Sequence, residues 1–445
     1  MKSILILNAT VVNEGEQKEY DVLIEKGKIA RIDKDLQHIA SSTVIDASNL
    51  HLIPGMIDDQ VHFREPGLTH KADIGTESAA AVAGGTTSFM EMPNVSPPTT
   101  DSDALKKKFE IAKKKSHANF SFYLGATNNN LDEILSVDTN LCCGIKVFMG
   151  ASTGNLLVDN IKSLEKIFNQ APILVATHCE DNQTITQNFS EARKRYGKDI
   201  PVTEHPIIRS EEACYLSSSF AVELAKKNNT NLHVLHLTTE KELELFSDDP
   251  ITSKRITAEA CVHHLWFSEE NYLDKGSLIK CNPAIKKPTD RQALLNAVNA
   301  GKIDIIATDH APHTIDEKGK EYSESPAGIP LVQHALLSLL DHYHNGTFSL
   351  EKIVQMICHN PALRYCVKDR GFIREGYFAD LVLIDLMQTT SVSKTNLLYK
   401  CGWSPFEGHQ FRSKISSTFV NGVLAFDGNQ VVSEIGNAKA LEFER

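Results

Sequence analysis

The 445-residue sequence lacks the features that mark membrane, secreted and disulfide-rich proteins. No apolar run approaches the length of about 20 residues that a membrane span needs, and the run Ile4–Leu7 is too short for a signal peptide. The nine cysteines include no Cys-x-x-Cys pair, so neither a thiolate zinc site nor a disulfide framework is expected. These absences predict a cytoplasmic protein with buried, reduced thiols and no membrane partner.

Basic residues are also in the minority, with 46 lysines and arginines against 57 acidic residues and a formal net charge of −11. A nucleic-acid surface needs a basic stripe for the phosphates, so no nucleic-acid partner is expected. A pocket that is locally positive can still bind an anionic small molecule on an acidic protein. With 41% hydrophobic and 23% charged residues, the composition is otherwise that of an ordinary globular protein.

Short, β-branched strand candidates lie at both ends of the chain. Those of the N-terminal end stop at about residue 54, and others resume near residue 380, where Asn421-Gly422 is a strong hairpin signal. The two ends therefore predict one small β-sandwich domain, formed by residues 1–54 together with 371–445.

Residues 55–370 alternate strand and helix patterns and predict a second, larger domain. The strand candidates are Leu52–Ile57, Thr87–Met92, Phe120–Leu124, Gly144–Phe148, Ile173–His178, Leu232–His236, Arg255–Ala260 and Ile303–Asp309. The helical patterns between them include Ser102–Lys115, Glu211–Lys227, Thr289–Ala300 and Leu331–His344. Eight β/α units in one run are the content of an α/β fold of the (β/α)8 TIM-like barrel type, with a doubly wound sheet as the alternative.

Polar side chains stand at the C-terminal ends of six of these strands, the end at which barrel enzymes carry their active sites. They are Gln60 and His62, Asn94, Lys146, His178, His236 and Asp309. Any one of them alone is more simply explained as a hydrogen-bonded core or loop residue. As a set, imidazoles with a carboxylate suit zinc or another divalent cation, and a catalytic zinc keeps one position open for water.

Two of these residues have both a simple and a chemical interpretation. Lys146 either pairs with a carboxylate or reaches the barrel mouth; alternatively, its neutral amine takes up carbon dioxide and becomes an anionic carbamate that can bridge two metals. Asp309 either caps a loop through a structural salt bridge or, next to a metal-bound water, accepts the proton of that water and passes it to a leaving nitrogen.

The segment Pro54–Gly67, which reads PGMIDDQVHFREPG, resembles the first-strand signature of dihydroorotases in the metal-dependent amidohydrolase superfamily. The resemblance continues in the same order through Gly84–Thr87, Met92–Asn94, Gly144–Phe148, His178–Asp181, Leu235–Thr239, Lys280–Pro283, Ala307–His313 and Gly376–Val382. It implies the reversible cyclisation of N-carbamoyl-L-aspartate to L-dihydroorotate in de novo pyrimidine (UMP) biosynthesis. The enzyme would be a cyclic amide hydrolase that acts through zinc-activated hydroxide, with Asp309 as general acid/base.

The same resemblance implies a set of site residues and a homodimer. The metal ligands, for one or two Zn²⁺ ions bridged by carboxylated Lys146, would be His62, Lys146, His178, His236 and Asp309. The substrate-binding residues would be Arg64, Asn94 and His313, which hold the substrate carboxylate, and Asn282.

Gln60 departs from the family pattern, because the first strand normally carries His-x-His. An amide oxygen is a weaker zinc ligand than an imidazole, so Gln60 is a candidate ligand only and the second ion of a pair is in doubt. The ion that Lys146, His178 and His236 would hold keeps its full set of protein ligands. Residues 149–155 contain no Asp that could bridge two ions in place of Lys146.

Two alternatives to a dihydroorotase stay open. One is another cyclic amidohydrolase, of the dihydropyrimidinase, hydantoinase or allantoinase type. Arg64 distinguishes a dihydroorotase from these enzymes, because their substrates lack the ring carboxylate that a guanidinium can bind with two hydrogen bonds. A surface ion pair would also account for Arg64. The other alternative is a non-catalytic dihydroorotase-like subunit, which Gln60 favours. Residues 313–330 are predicted to lie over the site as a mobile segment.

Overall fold

Strands from both ends of the chain join in one eight-stranded sheet in the computed structural model, which describes residues 3–150 and 156–445. The N-terminal end supplies β1 (Ile4–Asn13), β2 (Glu16–Glu25), β3 (Lys28–Asp33), β4 (Thr43–Asp46) and β5 (His51–Pro54). The C-terminal end supplies β15 (Leu381–Asp385), β18 (Lys414–Val420) and β19 (Val423–Phe426). The antiparallel pairing of β5 with β15 links the two ends.

The strands of this sheet are connected through β1, which pairs with β2 along one edge and with both β4 and β5 along the other. Their arrangement in the two layers of a sandwich stays a prediction. A register shift between Ile6 and Ala9 and a left-handed φ of 59° at Asn8 interrupt β1 midway. Buried apolar side chains of the sheet, among them Val22, Leu52, Leu383 and Phe419, then form one cluster.

The middle of the chain forms parallel strands that follow one another in chain order. They are β6 (Met56–Val61), β7 (Thr86–Glu91), β8 (Asn119–Phe122), β9 (Leu124–Gly125), β10 (Ile145–Phe148), β11 (Val175–His178), β12 (Leu232–Val234), β13 (Ile256–Cys261) and β14 (Ile305–Ala307). β6–β8 form one sheet and β9–β14 another. A parallel bridge between Val61 and His310 joins the first strand to the chain that follows the last, which is the order and closure that a (β/α)8 barrel requires.

The first strand of this series differs from the predicted Leu52–Ile57. The chain leaves the terminal sheet after Pro54 and enters β6 at Met56, so the predicted strand spans parts of two elements. The change occurs at Gly55, where a Cβ would lie 2.1 Å from Oγ1 of Thr87, so a side chain cannot fit there. Because β6 runs on to Val61, Gln60 and His62 stand at its C-terminal end.

Fourteen α-helices of the described residues connect and cover these strands. They are α1 (Ile74–Ala83), α2 (Ser102–Lys115), α3 (Leu131–Leu135), α4 (Ile161–Gln170), α5 (Asn182–Tyr196), α6 (His205–Ile208), α7 (Glu211–Asn228), α8 (Val262–Trp266), α9 (Tyr272–Lys275), α10 (Pro288–Ala300), α11 (Ile315–Lys318), α12 (Ala335–His344), α13 (Leu350–Val354) and α14 (Asn360–Tyr365). Two short strands, β16 (Thr390–Ser391) and β17 (Gln410–Phe411), pair with each other. Within residues 3–150 and 156–445, no helix is both long and apolar enough to cross a membrane.

Candidate active site

The predicted strand ends converge on one small cavity of about 90 Å³. Its polar lining consists of Gln60, His62, Arg64, Asn94, Lys146, His178, His236, Asn282 and Asp309, and its apolar lining of Phe148, Ala311, Ala327 and Gly328. His313, by contrast, does not line the cavity and lies against Arg64. A larger cavity of about 800 Å³, between Lys28, Phe120 and Arg370, contains none of the predicted site residues. Chemical content rather than size therefore identifies the candidate site.

His178 and His236 face each other across the cavity, with Nδ1 of His178 3.0 Å from Nε2 of His236. The other nitrogen of His178 donates to Glu180, at 2.9 Å, and Arg209 pairs with the same carboxylate oxygen. Burial would raise the pKa of Glu180, but Arg209 and His178 hold it at about 2. An ionised Glu180 fixes the proton of His178 on Nε2, so a lone pair on Nδ1 faces His236.

Burial also lowers the pKa of both imidazoles, which are therefore neutral at neutral pH. Two neutral rings with nitrogen atoms in contact suit a cation between them. His236 has a left-handed φ of 40°, and Asp309, across the cavity, has one of 47°. Such values are uncommon for residues other than glycine and concentrate at functional sites.

Lys146 is almost fully buried, and its Nζ lies 4.7 Å from the ring centre of Phe148. Burial lowers its pKa to about 8, although the carboxylates of Asp309 and Glu259 act in the opposite direction. A substantial fraction of neutral amine is therefore present near physiological pH. A neutral amine is the form that reacts with carbon dioxide, so the environment of Lys146 fits a carbamate.

Asp309 lies between His62 and Gln60. Its Oδ1 is 3.0 Å from Nε2 of His62 and accepts a hydrogen bond from Nε2 of Gln60 at 3.1 Å. Nδ1 of His62 lies 2.7 Å from Oδ1 of Asn94, which orients the ring toward Asp309. Nε2 of His62 and the carboxylate of Asp309 are both potential metal ligands. Burial would raise the pKa of Asp309, but His62 and nearby positive charges lower it, so Asp309 is ionised.

The Gln60 amide is already engaged at both ends. Its nitrogen donates to Asp309, and its oxygen accepts a weak hydrogen bond from the Cys261 thiol at 3.8 Å. In this orientation Gln60 supports Asp309 and offers no oxygen toward His62. The donor set is therefore more complete on the side of Lys146, His178 and His236 than on the side of Gln60.

Arg64 brings a buried positive charge to the cavity. Its Nε donates to the carbonyl of Pro312 at 3.1 Å, and its Nη2 lies 3.0 Å from Nε2 of His313. Burial lowers the pKa of Arg64 to about 10, so the guanidinium is charged at neutral pH. Burial and the nearby cations Arg64 and Lys71 lower the pKa of His313, which is consequently neutral. Asn282 adds a buried Oδ1 that has no hydrogen-bond partner within the described chain.

The segment after β14 contributes Ala327 and Gly328 to the cavity, as expected from its predicted position over the site. It is held by two buried lysines that the sequence did not indicate. Nζ of Lys318 donates to the carbonyls of Lys280, Pro326 and Gly328, each at 3.0 Å. Nζ of Lys280 donates to the carbonyls of Tyr322 and Ser325. The predicted mobility of this segment stays a prediction. Residues 151–155, which belong to the stretch 149–155 that has no bridging Asp, lie outside the described residues.

Three residues that matter to the site geometry were not predicted. Glu180 lies in a motif that resembles the family, but nothing in the spacing assigns it to His178. Arg209, its partner, follows 29 residues later on another element. Glu259 accepts the backbone N–H of His236 at 3.0 Å. A glutamate within the predicted strand Arg255–Ala260 was the one available signal.

Comparisons with known proteins agree with this geometry. The model of the amidohydrolase family matches residues 51–425. A dihydroorotase of Methanosphaera stadtmanae is 30% identical over 97% of this chain and 98% of its own length. An allantoinase of Desulfitobacterium hafniense is 29% identical over 97% of each chain. The solved structure of an L-hydantoinase (dihydropyrimidinase) from Arthrobacter aurescens superposes with a TM-score of 0.94 at 25% identity, over 99% of this chain and 100% of that one. The chain therefore belongs to the amidohydrolase family and is a cyclic amide hydrolase.

Proposed function

We propose that the protein is a dihydroorotase, which interconverts N-carbamoyl-L-aspartate and L-dihydroorotate. The observation that carries this proposal is the position of Arg64, whose buried guanidinium lines the same cavity as His178, His236 and Asp309. A charged guanidinium without a carboxylate hydrogen-bond partner in the described chain suits the ring carboxylate of dihydroorotate. The dihydroorotase name of the Methanosphaera stadtmanae relative supports the same substrate.

We infer that one zinc ion is held by His178, His236 and carboxylated Lys146. His62 and Asp309, with Gln60 as a weaker candidate, would hold a second ion if one binds. When bound, such a cation lowers the pKa of a water molecule and polarises a carbonyl group. The neutral imidazoles and the depressed pKa of Lys146 support this assignment, because each provides the protonation state that a metal ligand needs.

Asp309 is the general base and then the general acid of the proposed reaction. It is ionised at neutral pH and reaches into the cavity from the end of β14. In the hydrolytic direction it accepts a proton from the attacking water as the new C–O bond forms. It then delivers that proton to the ring nitrogen as the C–N bond breaks. In the direction of ring closure the same carboxylate removes a proton from the attacking nitrogen.

The remaining polar residues orient the substrate. Arg64 holds the substrate carboxylate, while Asn282 and the free amide hydrogens of Asn94 provide further hydrogen bonds. His313 contacts Arg64 and not the cavity, so we assign it to holding the guanidinium in place. Their contribution is mainly positioning, because they fix the carbonyl carbon relative to the attacking water.

A hydantoinase- or allantoinase-type activity is the second candidate, favoured by the L-hydantoinase superposition and by the allantoinase relative. Turnover of dihydroorotate, dihydrouracil, hydantoin and allantoin by the purified zinc-loaded protein distinguishes the two. We expect dihydroorotate to be preferred. A preference for a neutral ring would overturn the proposal, and absence of turnover of all four would overturn the enzyme assignment.

Arg64→Gln tests the role of the guanidinium. Loss of a charge-assisted contact of about 3 kcal/mol lowers kcat/KM for dihydroorotate by about 100-fold, while kcat/KM for a neutral ring changes little. Lys320→Gln is the control, because it removes a positive charge at an exposed position that does not line the cavity. Equal losses for charged and neutral substrates, or equal losses in the two variants, would contradict the assignment.

The division of the chain at residues 54 and 370, the cytoplasmic location and the homodimer also stay predictions from the sequence.

A further inference from the structure

Three ionisable side chains meet inside the parallel strands without lining the cavity described above. They are Asp59 of β6, His233 of β12 and Glu259 of β13, and each is 0% exposed. One ligand atom from each lies within 4.8 Å of those of the other two. A register shift between Asp58 and Val61 interrupts the pairing of β6 with β7 around Asp59. Such a shift can redirect a side chain of a strand, here into the interior.

The atoms that face the centre of this trio have no hydrogen-bond partner in the described chain. They are both carboxylate oxygens of Asp59, Oε2 of Glu259 and Nε2 of His233, and all are buried. Buried polar atoms without partners cost free energy, and native proteins contain few of them. Four such atoms from three neighbouring side chains suit a positively charged ligand.

The opposite atoms of His233 and Glu259 are anchored. Nδ1 of His233 hydrogen-bonds to Oγ1 of Thr257 at 2.8 Å. Oε1 of Glu259 accepts the backbone N–H of His236 at 3.0 Å and the thiol of Cys261 at 3.4 Å. Metal-binding side chains are typically oriented in this way, with one atom fixed by the surrounding protein and the other free to coordinate.

The distances match the edges of a coordination polyhedron better than hydrogen bonds. Nε2 of His233 lies 3.3 Å from Oδ2 of Asp59 and 3.6 Å from Oε2 of Glu259. Ligands about 2.1 Å from a tetrahedral zinc ion are about 3.4 Å from each other. We propose that Asp59, His233 and Glu259 bind a divalent cation of the zinc class at a structural site inside the barrel, separate from the catalytic metal.

The charges of the three side chains favour a bound cation over a metal-free arrangement in which a protonated His233 pairs with the two carboxylates. A protonated His233 would carry one positive charge and a single Nε2–H, which cannot serve two carboxylates. With both carboxylates ionised the trio would then keep a net charge of −1, which is costly in the interior. Burial and the charge of Asp59 accordingly raise the pKa of Glu259 to about 7, so that neutrality without a cation takes a second proton. A divalent cation with a neutral imidazole balances both carboxylates. This inference does not rest on the proposed dihydroorotase activity.

Metal content measured in a background that lacks the metal ligands His178 and His236 tests the site. The double variant His178→Ala/His236→Ala removes two proposed catalytic ligands, and zinc per chain is then measured by mass spectrometry after growth and dialysis with zinc. We expect about one tightly bound zinc ion per chain. Glu259→Gln in this background should abolish it, because a carboxylate becomes a neutral amide. A double variant that is folded by circular dichroism but holds no zinc would overturn the proposal.

Glu242→Gln is the matched control, since Glu242 is equally buried but hydrogen-bonded to Ser218 and Thr239. It should retain the zinc ion that Glu259→Gln loses, and equal zinc contents in the two variants would refute the site. Asp59→Asn provides a second variant should Glu259→Gln not fold. Thermal unfolding gives an independent readout: a strong chelator should lower Tm of the double variant but not of its Glu259→Gln derivative. Absence of dihydroorotate turnover by the unaltered zinc-loaded protein, with this zinc ion retained in the double variant, would refute only the proposed function.

Discussion

At the scale of single residues, burial sets the chemistry of the candidate site. The pKa values of Lys146, His178 and His236 are all lowered mainly by desolvation, so both imidazoles are neutral at neutral pH and the amine of Lys146, with a pKa of about 8, is neutral in part. Arg64 keeps its charge, because even a pKa lowered to about 10 lies well above neutral pH. The cavity thus combines neutral metal-binding groups with one fixed positive charge for an anionic substrate.

The pKa of Lys146 leads to a pH-dependent loading of the site. Only the neutral amine reacts with carbon dioxide, so with a folded pKa of about 8 the rate of carbamate formation should rise about tenfold per pH unit up to pH 8 and then level off. The metal-free protein is incubated with zinc at several pH values and a fixed concentration of dissolved carbon dioxide. Activity gained with time is then assayed at one pH. Lys146→Arg, which keeps the charge but cannot be carboxylated, should gain none, and a rate independent of pH would contradict the prediction.

Glu180 provides a test of how His178 is held. Glu180→Gln removes the ionised carboxylate that fixes the His178 proton on Nε2, so zinc affinity should fall about 10- to 100-fold. Competition with a chromophoric chelator measures this affinity. Glu242→Gln, a buried glutamate outside the cavity, is the control and should bind zinc like the unaltered protein. Similar affinities of both variants would show that Glu180 does not orient the ligand.

At the scale of elements, the sequence predicts best those boundaries that local chemistry defines. The predicted helix Ser102–Lys115 coincides with α2, because Asp101 caps its first turn by accepting the N–H of Ala104. Strand ends are less well predicted: Leu232–His236 is expected as one strand, but β12 stops at Val234. The left-handed turn at His236 has no local signal, since its cause is the tertiary arrangement around the cavity.

The same distinction applies to the candidate site. Lys146 and Asp309 could be predicted, because each interrupts or ends an apolar strand with a polar side chain, and His62 could be predicted from the motif around it. Arg209 and Lys318 could not, since Arg209 meets Glu180 across 29 residues and Lys318 meets Lys280 across 38. Charged residues of that kind resemble any solvated residue until the fold is known.

The loop after β14 offers a test at the element scale. Lys318→Met keeps the buried aliphatic volume but removes the donor to the carbonyls of Pro326 and Gly328, so the free energy of unfolding should fall by about 1–3 kcal/mol. KM for the substrate should rise as well, because Ala327 and Gly328 of this loop line the cavity. Denaturant unfolding and steady-state kinetics measure the two effects. Lys320→Met, an exposed position of the same loop, should change neither, and equal behaviour of both variants would contradict the role of Lys318.

At the scale of the whole molecule, the net charge of −11 opposes the approach of an anionic substrate, while Arg64 attracts it only at short range. The Debye length falls from about 30 Å at 0.01 M salt to about 8 Å at 0.15 M. Added salt therefore screens the long-range repulsion but barely affects a buried contact.

We accordingly expect kcat/KM for dihydroorotate to rise with ionic strength over this range, with most of the change in KM. Initial rates in a series of sodium chloride concentrations measure it, and a neutral cyclic amide that the enzyme turns over serves as the control for general salt effects. A fall in kcat/KM for the anionic substrate alone would show that the positive potential around Arg64 extends beyond the cavity and outweighs the charge of the remaining surface.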